Sequence, residues 1–203
     1  MLKNLLLLIF TACTLSLCAQ DKIYKITGTV SDKPEARYAQ FVSFEHKAVT
    51  RVPIRNGRFE FNLKKNKELD MRALMLTADS SLTYDNYMQQ KRNRTDDSRM
   101  ILVEDVEITS GKIVADAVVK GSTLNKDLGD MFATIKSQNY EQYFAEHPDS
   151  PVSMLFLKSL AQIGGGSSAF YSYDCKKYFT LLSSRLQQST EGLALAQKIN
   201  MPR

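Results

Sequence analysis

Two periodicities divide the chain. From residue 23 to 119, apolar positions recur every second residue, as in strands; beyond residue 121 they recur every three or four, as in helices. In IYKITGTV (23–30), Tyr24, Ile26 and Val30 alternate with polar partners, and Gly28 reads as a bulge. FVSFEH follows a polar, proline-containing loop. The clearest element is VTRVPIRNGRFEFNL. Asn56 and Gly57 both tolerate the positive φ of a type I′ turn, so the stretch predicts a hairpin, with Phe59, Phe61 and Leu63 on one face of its return strand. RALMLTADS predicts a more buried strand. SLTYDNYMQQKRNRTDDSR reads as a polar loop, and MILVEDVEITSGKIVADAVVKG as further strands, with Ser110-Gly111 as a second hairpin turn. Short strands joined by turns point to an antiparallel sandwich or a partly open barrel, and the expectation adopted is an antiparallel β-sandwich over residues 20–121.

At Gly121 the texture changes. Ser122 or Thr123 can cap a helix whose apolar set is Leu124, Leu128, Met131 and Ile135, and which is expected to run on through Tyr143 and Phe144. HPDSPVSMLFLKSL places Asp149 or Ser150 as a cap and Pro151 in the first turn, where a missing N–H costs nothing. Leu155, Leu160 and Ile163 mark its inner face, and Gly164-Gly165-Gly166 its end. A third helix is expected over 174–188 and a fourth from Thr190 to near Ile199. The fold class is therefore α+β, with a helical segment over residues 122–203 following the sandwich. Phe132, Tyr140, Phe144 and Phe156 are numerous enough to cover one sheet face.

The first nineteen residues stand apart. Lys3 precedes an apolar run from Leu5 to Leu17, and Ala19 offers a small residue for cleavage; this is the pattern of an export signal, too short for a membrane span. The chain is then expected in the periplasm or elsewhere in the cell envelope. Two alternatives stand: ordinary cleavage, or a lipid anchor through Cys13 or Cys18. Lys3 is the one charged residue in this stretch, so the balance beyond it is +4 against +5 for the whole chain. That mild excess, without clustering on one face, gives no expectation of nucleic acid as a partner. About 180 residues can bury a sizeable core without disulfides, and Cys175 is the one cysteine beyond the leader.

In their order and spacing, YKITGTV after the leader, IRNGRFEFN, VVKGSTLNKDL at the seam and HPDSPVSMLFL resemble a family. It is the domain of unknown function number 4369 of exported Bacteroidota thiol–disulfide interchange proteins. The likeness covers essentially the whole chain beyond the leader. It implies a cell-envelope location and a non-catalytic sheet domain before a helical spacer. In longer relatives a thioredoxin-like domain follows, with a Cys-x-x-Cys motif. That motif occurs nowhere in this sequence, so the relatives' redox chemistry is not carried over.

Candidate chemistry is sparse. No P-loop, Rossmann glycine pattern or Gly-x-Ser-x-Gly is present, and no catalytic residue, cofactor or metal ligand is assigned. His46 and His147 lie on different halves, without the local spacing of a zinc site. Glu104, Asp105 and Glu107 read as a solvated face. Two features merit a place as candidates. Tyr84, Tyr87, Lys91, Arg92, Arg94 and Arg99 interleave aromatics with cations, which can grip an anionic partner. Cys175 follows Tyr173-Asp174 and would sit in a first helical turn, where backbone N–H groups favour a thiolate. The expected function is a non-enzymatic binding or interaction module whose partner is an envelope protein or ligand. The alternative is an accessory of thiol–disulfide exchange that engages a separate thioredoxin-like protein.

Overall fold

The computed structural model describes residues 22–65, 67–95, 97–164 and 173–200. The leader, with Cys13 and Cys18, lies outside the described residues, as does most of the glycine run after α4. Eight strands come first: β1 (Ile23–Val30), β2 (Tyr38–Ser43), β3 (Ala48–Pro53), β4 (Arg58–Lys64), β5 (Met71–Thr77), β6 (Arg99–Leu102), β7 (Val106–Ser110) and β8 (Val118–Lys120). One helix, α1 (Tyr84–Arg92), is inserted between β5 and β6. The helical half holds α2 (Thr123–Ser137), α3 (Tyr140–Glu146), α4 (Pro151–Gly164), α5 (Cys175–Leu181), α6 (Ser184–Gln187) and α7 (Thr190–Asn200). The α+β class and the division near residue 121 stand as read from the sequence. No helix among the described residues is long and apolar enough to cross a membrane.

The strands form two sheets, ordered β4-β1-β7-β8 and β3-β2-β5-β6. Ile26, Phe59, Phe61, Val106 and Ile108 of the first pack against Ala39, Phe41, Leu74, Leu76 and Ile101 of the second. The rings of Phe41 and Phe61 meet across the gap with centroids 4.7 Å apart. This is a sandwich core, filled by the alternation the sequence displays. It is not wholly antiparallel. β1 and β7 pair in parallel, Ile26 with Val106 through Val30 with Ser110, because the chain reaches β7 from β6 in the opposite sheet.

The Asn56-Gly57 turn forms, with φ of 50° and 70°, and Arg55 and Arg58 exchange both N–H···O=C bonds at 2.9 Å. The expected hairpin stops at that single bridge. β3 then pairs with β2, and β4 with β1. The turn is a corner between sheets: Phe59, Phe61 and Leu63 bury into the inter-sheet core, and β1 takes up the hydrogen bonds of β4. Ser110-Gly111 is not a two-residue turn either. β7 and β8 do pair, but across a connection that contains a 3₁₀ turn at Val114–Asp116. Nor is Gly28 a bulge, since its pairing with Phe59 and Ile108 runs in unbroken register.

Sheet β3-β2-β5-β6 has a second apolar face. Val42, Ala73 and Met75 on it are covered by Leu82 and by Tyr87 of α1. The helix forms because Thr83 and Asn86 make a reciprocal capping box. Its apolar residues Tyr84, Tyr87 and Met88 follow helical spacing. The helical half was expected to supply that cover. Instead Phe144 and Phe156 stack with centroids 5.5 Å apart inside a core of their own. Tyr140 and Phe132 pack, half-buried, against the same core, and Leu102 of β6 joins it to the sandwich. Two expected helices are each broken. Gln138 turns left-handed (φ 61°) between α2 and α3, and extended Leu182 separates α5 from α6, where Ser183 caps the next start. Ile135 and Ile163, expected to face inward, are exposed.

Asp97 ties three segments together. It holds Lys33 Nζ at 2.8 Å and accepts the N–H groups of Val114 and Ala115 at 2.7 and 3.1 Å. Burial pushes its pKa up, but Lys33 and the two amides outweigh that and hold the carboxyl below the usual range. A depressed folded value means a stabilisation present above the unfolded pKa, about 3.9. It is lost as pH falls through the folded value. Asp97→Asn is therefore expected to destabilise most near neutrality. Urea denaturation at a series of pH values should show the gap to wild type closing below about pH 4; a constant gap would mean the charge is not what matters.

Candidate functional site

The seam between the halves is built from polar side chains that work on neighbouring backbone. Gly121 has φ +94°, and a Cβ there would lie 3.1 Å from the Asp105 carbonyl oxygen, so the chain turns here only with glycine. Ser122 caps α2: its Oγ accepts the Asn125 N–H at 3.0 Å and donates to Glu104 Oε2. Asn125, one turn into the helix, reaches back to the outer edge of β6. Its Oδ1 accepts the Leu102 N–H at 2.9 Å, and its Nδ2 donates to the Leu102 carbonyl at 3.0 Å. One side-chain amide thus completes a sheet edge as a further strand would, where both residues are buried.

Two residues further on, Asp127 leaves α2 on the side facing the 147–150 turn. Its Oδ2 accepts from Ser150 Oγ at 2.6 Å, and its Oδ1 lies 3.1 Å from His147 Nδ1. The opposite ring nitrogen, Nε2, stands 3.4 Å from Asp130 Oδ2. Asp127 and His147 are nearly enclosed, with 7% and 11% of their side chains exposed, whereas Asp130 is 42% exposed and opens the cluster to solvent. The Tyr143 ring packs on the imidazole with centroids 4.7 Å apart, and its hydroxyl reaches the Asp127 carbonyl at 3.4 Å. Burial pushes that phenol well above the ordinary tyrosine range, and the charges of Asp127 and Asp130 add to the effect. Lys126 Nζ sits 2.8 Å from Asp130 Oδ2 on the exposed side, and that contact raises the lysine's proton affinity.

Chemically, this is a carboxylate–imidazole pair in which a buried, serine-held aspartate fixes one ring nitrogen and aims the other at a second carboxylate. It is not a nucleophilic triad. Ser150 bonds to Asp127 and not to the imidazole, and Nε2 faces a carboxylate and not a hydroxyl. One donor atom from each of Asp127, Asp130 and His147 lies within 4.8 Å of the others, a set able to hold a metal ion. The sequence reading assigned no metal ligand and left His147 isolated. Its partners sit 17 and 20 positions upstream, and only the antiparallel return of α3 and the 147–150 turn brings them together. The available signal was Asp127-x-x-Asp130, which shares one helix face.

The residues singled out beforehand do not gather into one surface. Tyr87 is 0% exposed and belongs to the core beneath α1; Tyr84 is half-buried beside it. Arg99 lies in β6, donates to the Ala115 carbonyl at 3.2 Å and buries its Nε without a hydrogen-bond partner. Lys91, Arg92 and Arg94 remain exposed at the C-terminal end of α1, where cations complement the helix dipole. The loop became a helix because its tyrosines are spaced to bury. Cys175 is, as expected, the first residue of a helix, with Asp174 as its cap. It is 6% exposed and packs in the helical core, which places it beyond direct contact with a partner thiol.

A wide concavity lies elsewhere, on sheet β4-β1-β7-β8. A groove of about 710 Å³ runs over these strands to the end of β3, and is lined by Thr27, Thr29, Arg55, Arg58, Glu60 and Glu107 among others. Register sets Glu60, Thr27 and Glu107 in one row across the sheet, and Arg58, Thr29 and Thr109 in the next. Compared with family models, with curated proteins and with solved structures, the chain matches none.

Proposed function

We propose that the chain is an exported cell-envelope module that binds a polar partner or ligand across the open face of sheet β4-β1-β7-β8. The observation that carries this reading is the groove itself. The other sheet has its outer face covered by α1, whereas Lys25, Thr29, Arg58, Glu60, Asn62, Glu107 and Thr109 point outward and are exposed. Paired strands supply a rigid platform, and threonine hydroxyls flanked by charges of both signs supply directional contacts. The leader-like first nineteen residues and the family resemblance support the envelope location. The alternative, an accessory of thiol–disulfide exchange, is better served by docking a separate thioredoxin-like protein than by a mixed disulfide, given the burial of Cys175.

A photo-crosslinking residue at Thr29, tested in intact cells, addresses this directly. We expect capture of an envelope component that is lost on Glu60→Lys and Glu107→Lys and unchanged by Cys175→Ser. Capture of a thioredoxin-like oxidoreductase that depends on Cys175 would replace this reading with the alternative. No capture from Thr29, with capture from a probe on α1, would move the binding face to the basic end of that helix.

A further inference from the structure

We propose that His147 and Asp130 form a binding site for a divalent first-row transition ion such as zinc, with Asp127 orienting the imidazole. A histidine that ligates through one nitrogen is usually held by a carboxylate or carbonyl on the other, which fixes ring orientation and tautomer. Asp127 stands in that relation to Nδ1 at 3.1 Å, and Ser150 Oγ in turn fixes Asp127 at 2.6 Å. The free edge of the ring meets Asp130 Oδ2 at 3.4 Å. Two ligands of one tetrahedral zinc, each about 2.0–2.1 Å from the ion, stand roughly 3.3 Å apart. The spacing is therefore that of two ligands sharing an ion.

The donor types agree with this assignment. An imidazole nitrogen beside carboxylate oxygens suits zinc, cobalt or nickel better than calcium or magnesium, which prefer all-oxygen shells. The half-exposed Asp130 gives an entry path, and water would complete the shell. Lys126 now occupies Asp130 Oδ2 at 2.8 Å, but its side chain is 69% exposed. Exposed pairs of this kind contribute little and yield readily to a divalent charge. The same lysine predicts a signature no structural role would give: removing it should strengthen binding.

Titrating the purified chain with Zn²⁺ by calorimetry, and with Co²⁺ by visible absorption, tests the site. The expected result is one ion per chain, with cobalt bands of a nitrogen- and oxygen-ligated ion. His147→Gln and Asp130→Asn should each weaken binding at least about tenfold, and Asp127→Asn by about 10–100-fold. Lys126→Ala should tighten it several-fold. Lys126 and Asp130 are surface residues, so their variants keep the test decisive should His147→Gln or Asp127→Asn fail to fold. Absence of binding at millimolar zinc would overturn the proposal. So would binding that Asp130→Asn and Lys126→Ala leave unchanged.

Discussion

Replacing Asn125 with leucine should lower the stability of the chain by about 3 kcal/mol or more, although the two side chains are nearly the same size. Asn125 pairs with both outward backbone groups of Leu102, and both residues are buried. Leucine would leave a buried N–H and a buried C=O unpaired, at roughly 1–3 kcal/mol each. The loss would be a large share of the 5–15 kcal/mol typical of a whole domain. Urea denaturation would report it as a lower midpoint at unchanged slope. Asn125→Asp separates the two bonds, since it keeps the acceptor for the Leu102 N–H and abolishes the donor to its carbonyl. Hydrogen exchange at the Leu102 amide should rise in the leucine variant and stay slow in the aspartate one. An unchanged midpoint for Asn125→Leu would show that water or a shift of α2 satisfies the edge of β6.

Gly28→Ala is expected to cost a comparable amount, about 3 kcal/mol, for an unrelated reason. The Phe59 ring lies flat over Gly28, its register partner, so that an added Cβ would fall 2.1 Å from Phe59 Cζ. The ring cannot swing aside cheaply. It is 4% exposed and packs edge-on against Phe61, at a centroid distance of 5.9 Å. Forcing an extra methyl into such a core costs about 1–3 kcal/mol, and expelling a phenylalanine about 3–5. The two sites should therefore couple. In a Phe59→Leu background the same Gly28→Ala change should cost far less, with an interaction energy above about 1 kcal/mol in the double-mutant cycle. Additive effects would place the origin in the backbone of β1 and not in the ring.

These two residues also show how sequence and structure divide the explanation. Gly28 was visible as an irregularity in an alternating strand, but the sequence could not say whether it marked a bulge or a close approach. Both remove a Cβ, and only the partner strand distinguishes them. Asn125 sat inside a helical pattern as an ordinary polar residue. Nothing local marks it as the cap of a strand 23 positions earlier. The same holds for the candidate metal site. The stretches around Asp127 and His147 were each read as helix starts, for good capping reasons, yet their meeting point depends on how α2, α3 and α4 pack. The error at Tyr84–Arg92 was of another kind. There the capping box and the tyrosine spacing were present in the sequence, and the high polar content of the segment obscured them.

What the sequence alone determined follows from short-range physics. Period-two and period-3.6 patterns fixed the α+β class. Positive-φ turn residues fixed the reversal at Asn56-Gly57, though not that it is a corner in place of a hairpin, and cap and glycine chemistry fixed the boundary at residues 121–123. Each depends on steric and hydrogen-bonding preferences within a few residues. What only the tertiary structure decided is pairing across distance. It separated β3 from β4, set β1 beside β7 in parallel, gave the outer face of one sheet to α1 and left the other open, and joined His147 to Asp127 and Asp130. Those choices depend on which apolar faces bury each other and which buried polar groups find partners. These are sums over the whole chain that no local stretch contains.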